Sequence, residues 1–445
     1  MDETKLNRWQ YITMATLFTG YAGYYICRSN FSVATPLILA EYGDAGIDKA
    51  AIGSVASMGV LLYALGKITN GLSADFLGGR LLFLGGMVAS VACTVVFGLS
   101  AGLAAFTVVW AANRYVQSGG WVALVKVSSR WFPLRRHATI MGVLSMSYLL
   151  GDAFARAYLG TFLKYGCGWR ALFFIAAATL GAIALVSLFT LKSSPQDVGL
   201  PEPLTSAANV YGGAGEQPVP PSFAELIGPL LASPAFWLCA VMNFGLTLIR
   251  ETFNFWSPTF LTEVTGATNE GAAIGSMVFP LVGAASALIA GTLSDRFDGR
   301  HARVILPTII LLTAALCILA FADMQGHYTL ALVLLSAVSF FLIAPYSFLS
   351  GVIACDLGGK RGSSTTAGLL DSAGYLGGVV SGWGIGRIAV DYGWSGAFGF
   401  LAGVCAVTAV VAGVYWIHQE RTHLGRRELA AVLEVNDSQE GVPGQ

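Results

Sequence analysis

Arg28 and Arg250 stand in apolar stretches, and each is followed by a proline at the same spacing, Arg28-x7-Pro36 and Arg250-x7-Pro258. The two patterns are displaced by 222 residues. A guanidinium in apolar surroundings needs an anionic partner, and its planar fork fits phosphate or carboxylate through two parallel hydrogen bonds. If an internal twofold relates the positions, the arginines lie on opposite walls of one cavity and repel each other. An anion must then sit between them for part of any working cycle. A tetrahedral phosphate or phosphonate engages both forks at once.

Other ionisable residues share these stretches. Lys67 either adds a third positive group for the same anion or pairs with Asp371. Glu251 adjoins Arg250, but successive helical residues point about 100° apart, so it is expected to be a poor direct partner. The competing reading is that Arg250 simply pairs with Glu251 and Arg28 snorkels. Tyr24, four residues before Arg28, either lines the cavity or packs. Asp152 and Arg156 have the i,i+4 spacing of an intrahelical ion pair, and Arg114 is a second partner for Asp152. The structural reading is favoured for these three. The alternative is that Asp152 or Asp371 reads a cationic group on a zwitterionic substrate. Arg387 is expected to snorkel.

These residues need membrane-spanning elements to hold them. Of the 445 residues 55% are hydrophobic and only 11% charged, against about 25% charged in a soluble domain. That excludes a soluble globule and, equally, disorder. Lysine plus arginine equals aspartate plus glutamate at 25 each, so no bulk field draws nucleic acid. No two of the seven cysteines form a CxxC pair, which argues against a disulfide framework or zinc site. With no nucleotide loop or nucleophile–base pair either, neither an enzyme, a metal nor a cofactor is expected.

A spanning helix needs about 20 mostly apolar residues. Twelve stretches qualify: 11–39, 50–73, 81–101, 104–128, 138–163, 169–191, 234–262, 270–293, 304–323, 327–354, 364–391 and 395–417. The expected architecture is therefore an all-α polytopic protein with a first half at 1–191, a linker at 192–233, a second half at 234–417 and a tail at 418–445. The linker carries Gly212-Gly213 and Pro218, Pro220 and Pro221, the chemistry of a connecting segment. With the N-terminus inside, fifteen Lys and Arg fall on inside segments and three (Lys49, Lys164, Arg170) on outside loops. Both termini are thus expected in the cytoplasm. An ionisable group at bilayer centre costs roughly 2.5–3.5 kcal/mol on insertion scales, which makes each one a functional candidate.

The halves repeat each other. Gly71, Asp75, Gly79 and Arg80 after the second span match Gly291, Asp295, Gly299 and Arg300 after the eighth, each displaced by 220. Gly168-Trp169 is matched by Gly393-Trp394. Two parallel six-helix halves with a substrate site at mid-membrane is the architecture of major facilitator transporters. The Gly-x3-Asp-x3-Gly-Arg loops resemble that superfamily's cytoplasmic signature. Asp75 and Asp295 are expected to cap a helix end or pair with an arginine, and with Arg80 and Arg300 to hold or gate the cytoplasmic face.

Within the superfamily the sequence resembles the organophosphate:inorganic phosphate antiporter family. Gly23-Tyr-Tyr-Ile-Cys-Arg28-Ser-Asn-Phe31-Ser-Val-Ala-Thr-Pro36 is similar to its first-span motif, and Arg250 with Phe255-Trp256-Ser257-Pro258-Thr259 to its seventh. The resemblance implies that Arg28 and Arg250 clamp phosphate and that Lys67 is the family's second-span lysine. Asn113, Gln117 and Trp121 match the fourth span, Ser194 to Pro201 the opening of the central loop, and Gly374 to Gly378 the eleventh span. There are departures. Ser29 stands where many members have lysine, Tyr148 where the glycerol-3-phosphate members have histidine, and Arg114 and Asp152 where glycines are expected. Glycerol 3-phosphate is therefore a poor candidate, and a different organophosphate or a phosphonate a better one.

The resulting expectation is an inner-membrane carrier, monomeric, that exchanges such an anion for inorganic phosphate by alternating access. A proton-coupled organic-anion symporter and a transporter-like sensor of a phosphorylated metabolite are the alternatives.

Overall fold

The computed structural model describes residues 3–42, 47, 49–133, 136–203, 209–267, 275–297 and 300–440. The side chains of Pro36, Arg156, Pro258 and Arg387, those beyond Arg421, and all of Gly299 lie outside the described residues. The chain is helical. The first half runs α1 (Glu3–Tyr42), α2 (Lys49–Leu77), α3 (Gly79–Leu99), α4 (Leu103–Gln117), α5 (Gly119–Trp131), α6 (His137–Lys164) and α7 (Trp169–Thr190). After the linker come α8 (Phe223–Ala232), α9 (Pro234–Thr265), α10 (Val278–Arg296), α11 (Ala302–Phe321), α12 (Tyr328–Leu349) and α13 (Val352–Glu440).

Eight described segments are long and apolar enough to cross a membrane, one of them the 54-residue Tyr328–Ser381, which takes in the tenth expected span and much of the eleventh. The seventh span enters through a bent pair, Phe223–Ala232 and Pro234–Asn254, at 76°. The first and fourth expected spans do not stand out this way: the first carries Arg28 among several tyrosines, threonines and glycines, and the fourth is divided at Ser118 into two helices each too short to cross alone.

Three features add detail to the expected spans. The fourth span is two helices, α4 and α5, meeting at Ser118, just before Gly119-Gly120. A Cβ at Gly120 would lie 3.1 Å from the rings of Tyr21 and Tyr24, so the glycine lets α1 approach. The linker is partly helical, with single turns at Pro195–Val198 and Gly212–Glu216 followed by α8, whose N-cap Ser222 accepts the Glu225 N–H. Within α13 the backbone leaves helical dihedrals at Gly359 and again at Gly393, and the second of these bends separates the eleventh and twelfth expected spans.

The halves meet along two seams, α2 against α13 and α6 against α10. Small residues permit the contact, as in other membrane helix interfaces. A Cβ at Gly71 would lie 3.0 Å from the Ser364 carbonyl, and one at Gly291 within 2.5 Å of the Ala138 carbonyl. At the end away from the linker the two glycine–tryptophan landmarks do the same job in each half. Trp169 Nε1 donates to Glu41 at 2.6 Å, and Trp394 Nε1 to Glu263 at 2.8 Å.

Candidate functional site

Four cations gather where the halves meet. Arg28 on α1 donates through Nη1 to the Tyr25 hydroxyl at 2.9 Å and through Nε to Gln117 Oε1 at 3.3 Å. Its guanidinium lies 4.4 Å from the Tyr25 ring centroid and 4.7 Å from that of Tyr63. Gln117 is oriented by a buried network. Its amide nitrogen donates to Ser90 Oγ at 2.9 Å, to Asn113 Oδ1 at 3.1 Å and to the Cys27 carbonyl at 3.2 Å. With the nitrogen so engaged, the amide oxygen is the atom left for Arg28.

Arg250 on α9 lies 4.5 Å over the Tyr346 ring and donates through Nη2 to Glu251. That contact corrects the expectation that adjacent helical residues are poor partners. The Cα–Cβ bonds do diverge, but both side chains are long enough to curl back along the helix surface. Tyr148 of α6 sits beside Arg250, and its ring is 6.2 Å from that of Tyr25.

Lys67 and Asp371 form an ion pair of 2.6 Å with both side chains buried. It joins α2 to α13 across a seam, so Lys67 does not offer an unshared charge. Arg114 sits 4.4 Å over the Tyr63 ring. Its stem packs where Gly59 has no side chain, since a Cβ there would come within 2.9 Å of Arg114 Cγ. Tyr63 thus has Arg28, Arg114 and, at 5.1 Å, the Lys67 ammonium around one ring.

Among the buried polar atoms that make no hydrogen bond within the protein are Arg28 Nη2, Arg114 Nη1, Arg250 Nε and Tyr148 Oη. Each such donor costs about 1–3 kcal/mol while unpaired, more when charged. Donors contributed by α1, α4, α6 and α9 suit a ligand with several oxygen acceptors.

Two site expectations are redrawn. Tyr24 packs: it is fully buried and its hydroxyl donates to the Phe83 carbonyl at 2.6 Å. The tyrosine bonded to Arg28 is its neighbour Tyr25. Asp152 accepts the Ser29 hydroxyl, and among the described residues Arg114 forms no ion pair, so the Arg114–Asp152 pairing is not made. The sequence reading missed Tyr25, Tyr63, Tyr346 and Tyr375, the last with its ring 5.4 Å from that of Tyr63. Tyr63 stands four residues before Lys67, a spacing that puts both on one helix face, and that signal was available.

At the linker end the halves are sealed. Asp75 accepts the Thr365 N–H at 2.7 Å and the Ser364 N–H at 3.4 Å, and its repeat mate Asp295 accepts Thr139 N–H at 2.9 Å and Ala138 N–H at 3.2 Å. Each half therefore holds the backbone of the other. Lys126 pairs with Asp75 at 2.7 Å and donates to the Pro218 and Arg361 carbonyls. Linker residue Glu202 pairs with Arg130 of the first half at 2.5 Å and Lys360 of the second at 3.3 Å. Arg80 is not in the seal. It caps α7 of its own half, donating to the carbonyls of Leu191 at 2.7 Å and Leu188 at 2.9 Å.

The Major Facilitator Superfamily model matches residues 17–382 and 279–434. The chain belongs to the major facilitator superfamily. Its two pseudo-symmetric halves and central cations are thus those of a transporter fold. A solved superfamily member, FucP in the outward conformation, superposes with a TM-score of 0.71 at 14% identity, over 92% of this chain and 99% of that one. That likeness concerns the fold. In sequence the chain is 25% identical to a probable hexose phosphate transport protein of Chlamydia trachomatis, over 91% of this chain and 90% of the relative. It is also 25% identical to the membrane sensor protein UhpC of Salmonella typhimurium, over 93% and 91%.

Proposed function

We propose that this superfamily member exchanges an organophosphate or phosphonate for inorganic phosphate by alternating access, with Arg28 and Arg250 as the clamp. The single observation that carries the reading is the set of unpaired donors, Arg28 Nη2, Arg250 Nε and Tyr148 Oη, drawn from both halves. A phosphoryl oxygen shell accepts from all of them. Support also comes from the hexose phosphate relative, matched over most of its length.

The mechanism follows from charge. Without an anion, two guanidiniums approaching across the seam repel, and closure around the site is opposed. A phosphoryl group between them removes the repulsion and satisfies the buried donors, so the loaded carrier closes and reopens on the other side. Inorganic phosphate serves the return journey equally well, which makes exchange the natural cycle. Proton coupling is less well supported, because Asp371 and Glu251 are each engaged by a basic side chain, Lys67 and Arg250. A sensor is the second reading, favoured by the UhpC relative. The arrangement proposed in the cell is inner membrane, monomer, both termini cytoplasmic.

Purified full-length protein in liposomes tests this. Uptake of labelled phosphate should require phosphate inside and be indifferent to an imposed pH gradient. Uptake driven by the gradient into phosphate-free vesicles would replace exchange with symport. Ligand binding without any uptake would indicate a sensor.

A further inference from the structure

The two aspartates that seal the linker end differ in what stands beside them. Asp75 is paired with Lys126 at 2.7 Å, a residue type that ordinarily titrates far above neutral pH. Asp295 holds the N–H groups of Ala138 and Thr139, and the residue before them is His137, the first of α6. His137 is buried, and its Nε2 makes no hydrogen bond. The charged and titratable groups that act on it come from the second half: Asp295 on α10, His301 in the turn that follows and Asp356 on α13. Arg136, its neighbour in sequence, is exposed. Both carboxylates are engaged elsewhere. Asp295 is taken by the two N–H groups, and Asp356 Oδ2 lies 2.7 Å from His301 Nε2, whose ring is fixed in turn by Ser294 Oγ at 2.7 Å from Nδ1. Asp356 Oδ1 is buried without a partner, and it is out of hydrogen-bond reach of His137 Nε2.

We infer that His137 makes the second seam a proton-sensitive catch: protonation there opposes closure, and acid at the linker end favours the state open at that end. Three features of the closed seam disfavour an imidazolium. The ring is buried, an Nε2 proton would have no acceptor, and the residue stands at a helix N-terminus, the positive end of the helix dipole. Once α6 parts from Asp295 the ring meets water and titrates near its ordinary pKa of about 6.5. Opening is thereby linked to proton uptake, so closure is intact above that pH and weakens below it. With the ring neutral in the closed seam, the open fraction rises about ten-fold between about pH 7.5 and about pH 5.5. The inference needs the rocking halves of this fold and not the identity of the cargo. The proton enters and leaves at one face, so it regulates the cycle and drives nothing. Above about pH 7.5 the catch is silent.

Cys355 reports the opening. It is buried next to Asp356, and its thiol faces the Val125 carbonyl of the first half at 3.7 Å, so a reagent reaches it when the halves part at this end. Purified full-length protein without ligand is treated with a maleimide at about pH 7.5 and about pH 5.5, one unit to either side of the ordinary imidazole pKa. Labelling of Cys355 is followed by mass spectrometry. The wild-type rate is divided by that of His137→Gln at the same pH, which cancels the pH dependence of the thiol chemistry. This ratio should rise about ten-fold on acidification, and His137→Lys, charged at both pH values, should label faster than His137→Gln at each. A flat ratio overturns the inference; loss of the acid response in His301→Gln would then move the proton to His301. A falling ratio overturns it too, by showing that Asp295 and Asp356 favour the imidazolium in the closed seam. If His137→Gln does not fold, His137→Asn takes its place in the same ratio. With no ligand present, each outcome leaves the phosphate reading as it stands.

Discussion

Around Arg28 the neighbours are neutral, Gln117, Tyr25 and Tyr63, whereas Arg250 in the matching place of the other half already has a carboxylate on one prong. The same contrast holds beyond the pair. The first half brings three cations to the cluster, Arg28, Lys67 and Arg114, with the Asp152 carboxylate on Ser29 beside them, and the second brings Arg250 together with Glu251 and Asp371. One wall is rich in cations, and the other carries two carboxylates to one guanidinium. The difference teaches that twofold placement does not imply twofold roles. Most of the attraction for an anion comes from the first half, while the second lends the carboxylates that make so many buried cations tolerable.

The largest effect should follow from taking back one of those carboxylates. Asp371→Asn leaves Lys67 buried and unpaired, a change worth about 3–5 kcal/mol of stability, read as a lowered melting temperature in detergent. The double variant with Lys67→Met should recover much of the loss. No recovery would mean that the pair is not the reason for the damage.

Next come the arginines. Arg28→Lys should weaken phosphate exchange in liposomes by about 100-fold with normal insertion, because an ammonium cannot supply the fork. Arg250→Lys should cost less, about ten-fold, since Glu251 already occupies one prong. Equal losses would break the contrast between the walls. Tyr148→Phe removes a neutral donor and should weaken phosphate binding by about 0.5–1.5 kcal/mol, with stability unchanged or improved because the hydroxyl is unpaired in the folded chain. Calorimetry would expose a larger penalty and so a different role. The smallest change has the opposite sign. Glu251→Gln frees the second prong of Arg250 and should tighten phosphate binding about three-fold; weaker binding would show that Glu251 positions Arg250 rather than competing for it.

Legibility varied with the kind of information each feature carries. Arg28, Arg250, Asp75 and Asp295 stood out because a repeat displaced by 220–222 residues is visible in the letters alone. Tyr24 and Tyr25 could not be separated on spacing, as both lie within one turn of Arg28 and only the packing of α1 against α3 decides. Glu251 was misjudged because backbone direction says little about where two long side chains end. The tyrosines around the cations were overlooked because aromatic residues in spanning helices serve packing and function alike. The break at Ser118 and the helical turns of the linker are set by contacts between distant segments, which a local reading does not contain.

The seal at the linker end has a consequence of its own. Asp75 and Asp295 grip peptide N–H groups at positions 364–365 and 138–139, groups that every residue except proline possesses. These two grips are therefore blind to the side chains they hold, and none of the mid-bundle cations Arg28, Lys67, Arg114 and Arg250 takes part in them. The Lys126–Asp75 pair and the Glu202 bridge add side chains to the seal, but the proposed cargo contacts lie elsewhere, in tyrosine and arginine. Selectivity can be rewritten at mid-bundle while the latch stays as it is, so access and choice are separable properties of one protein.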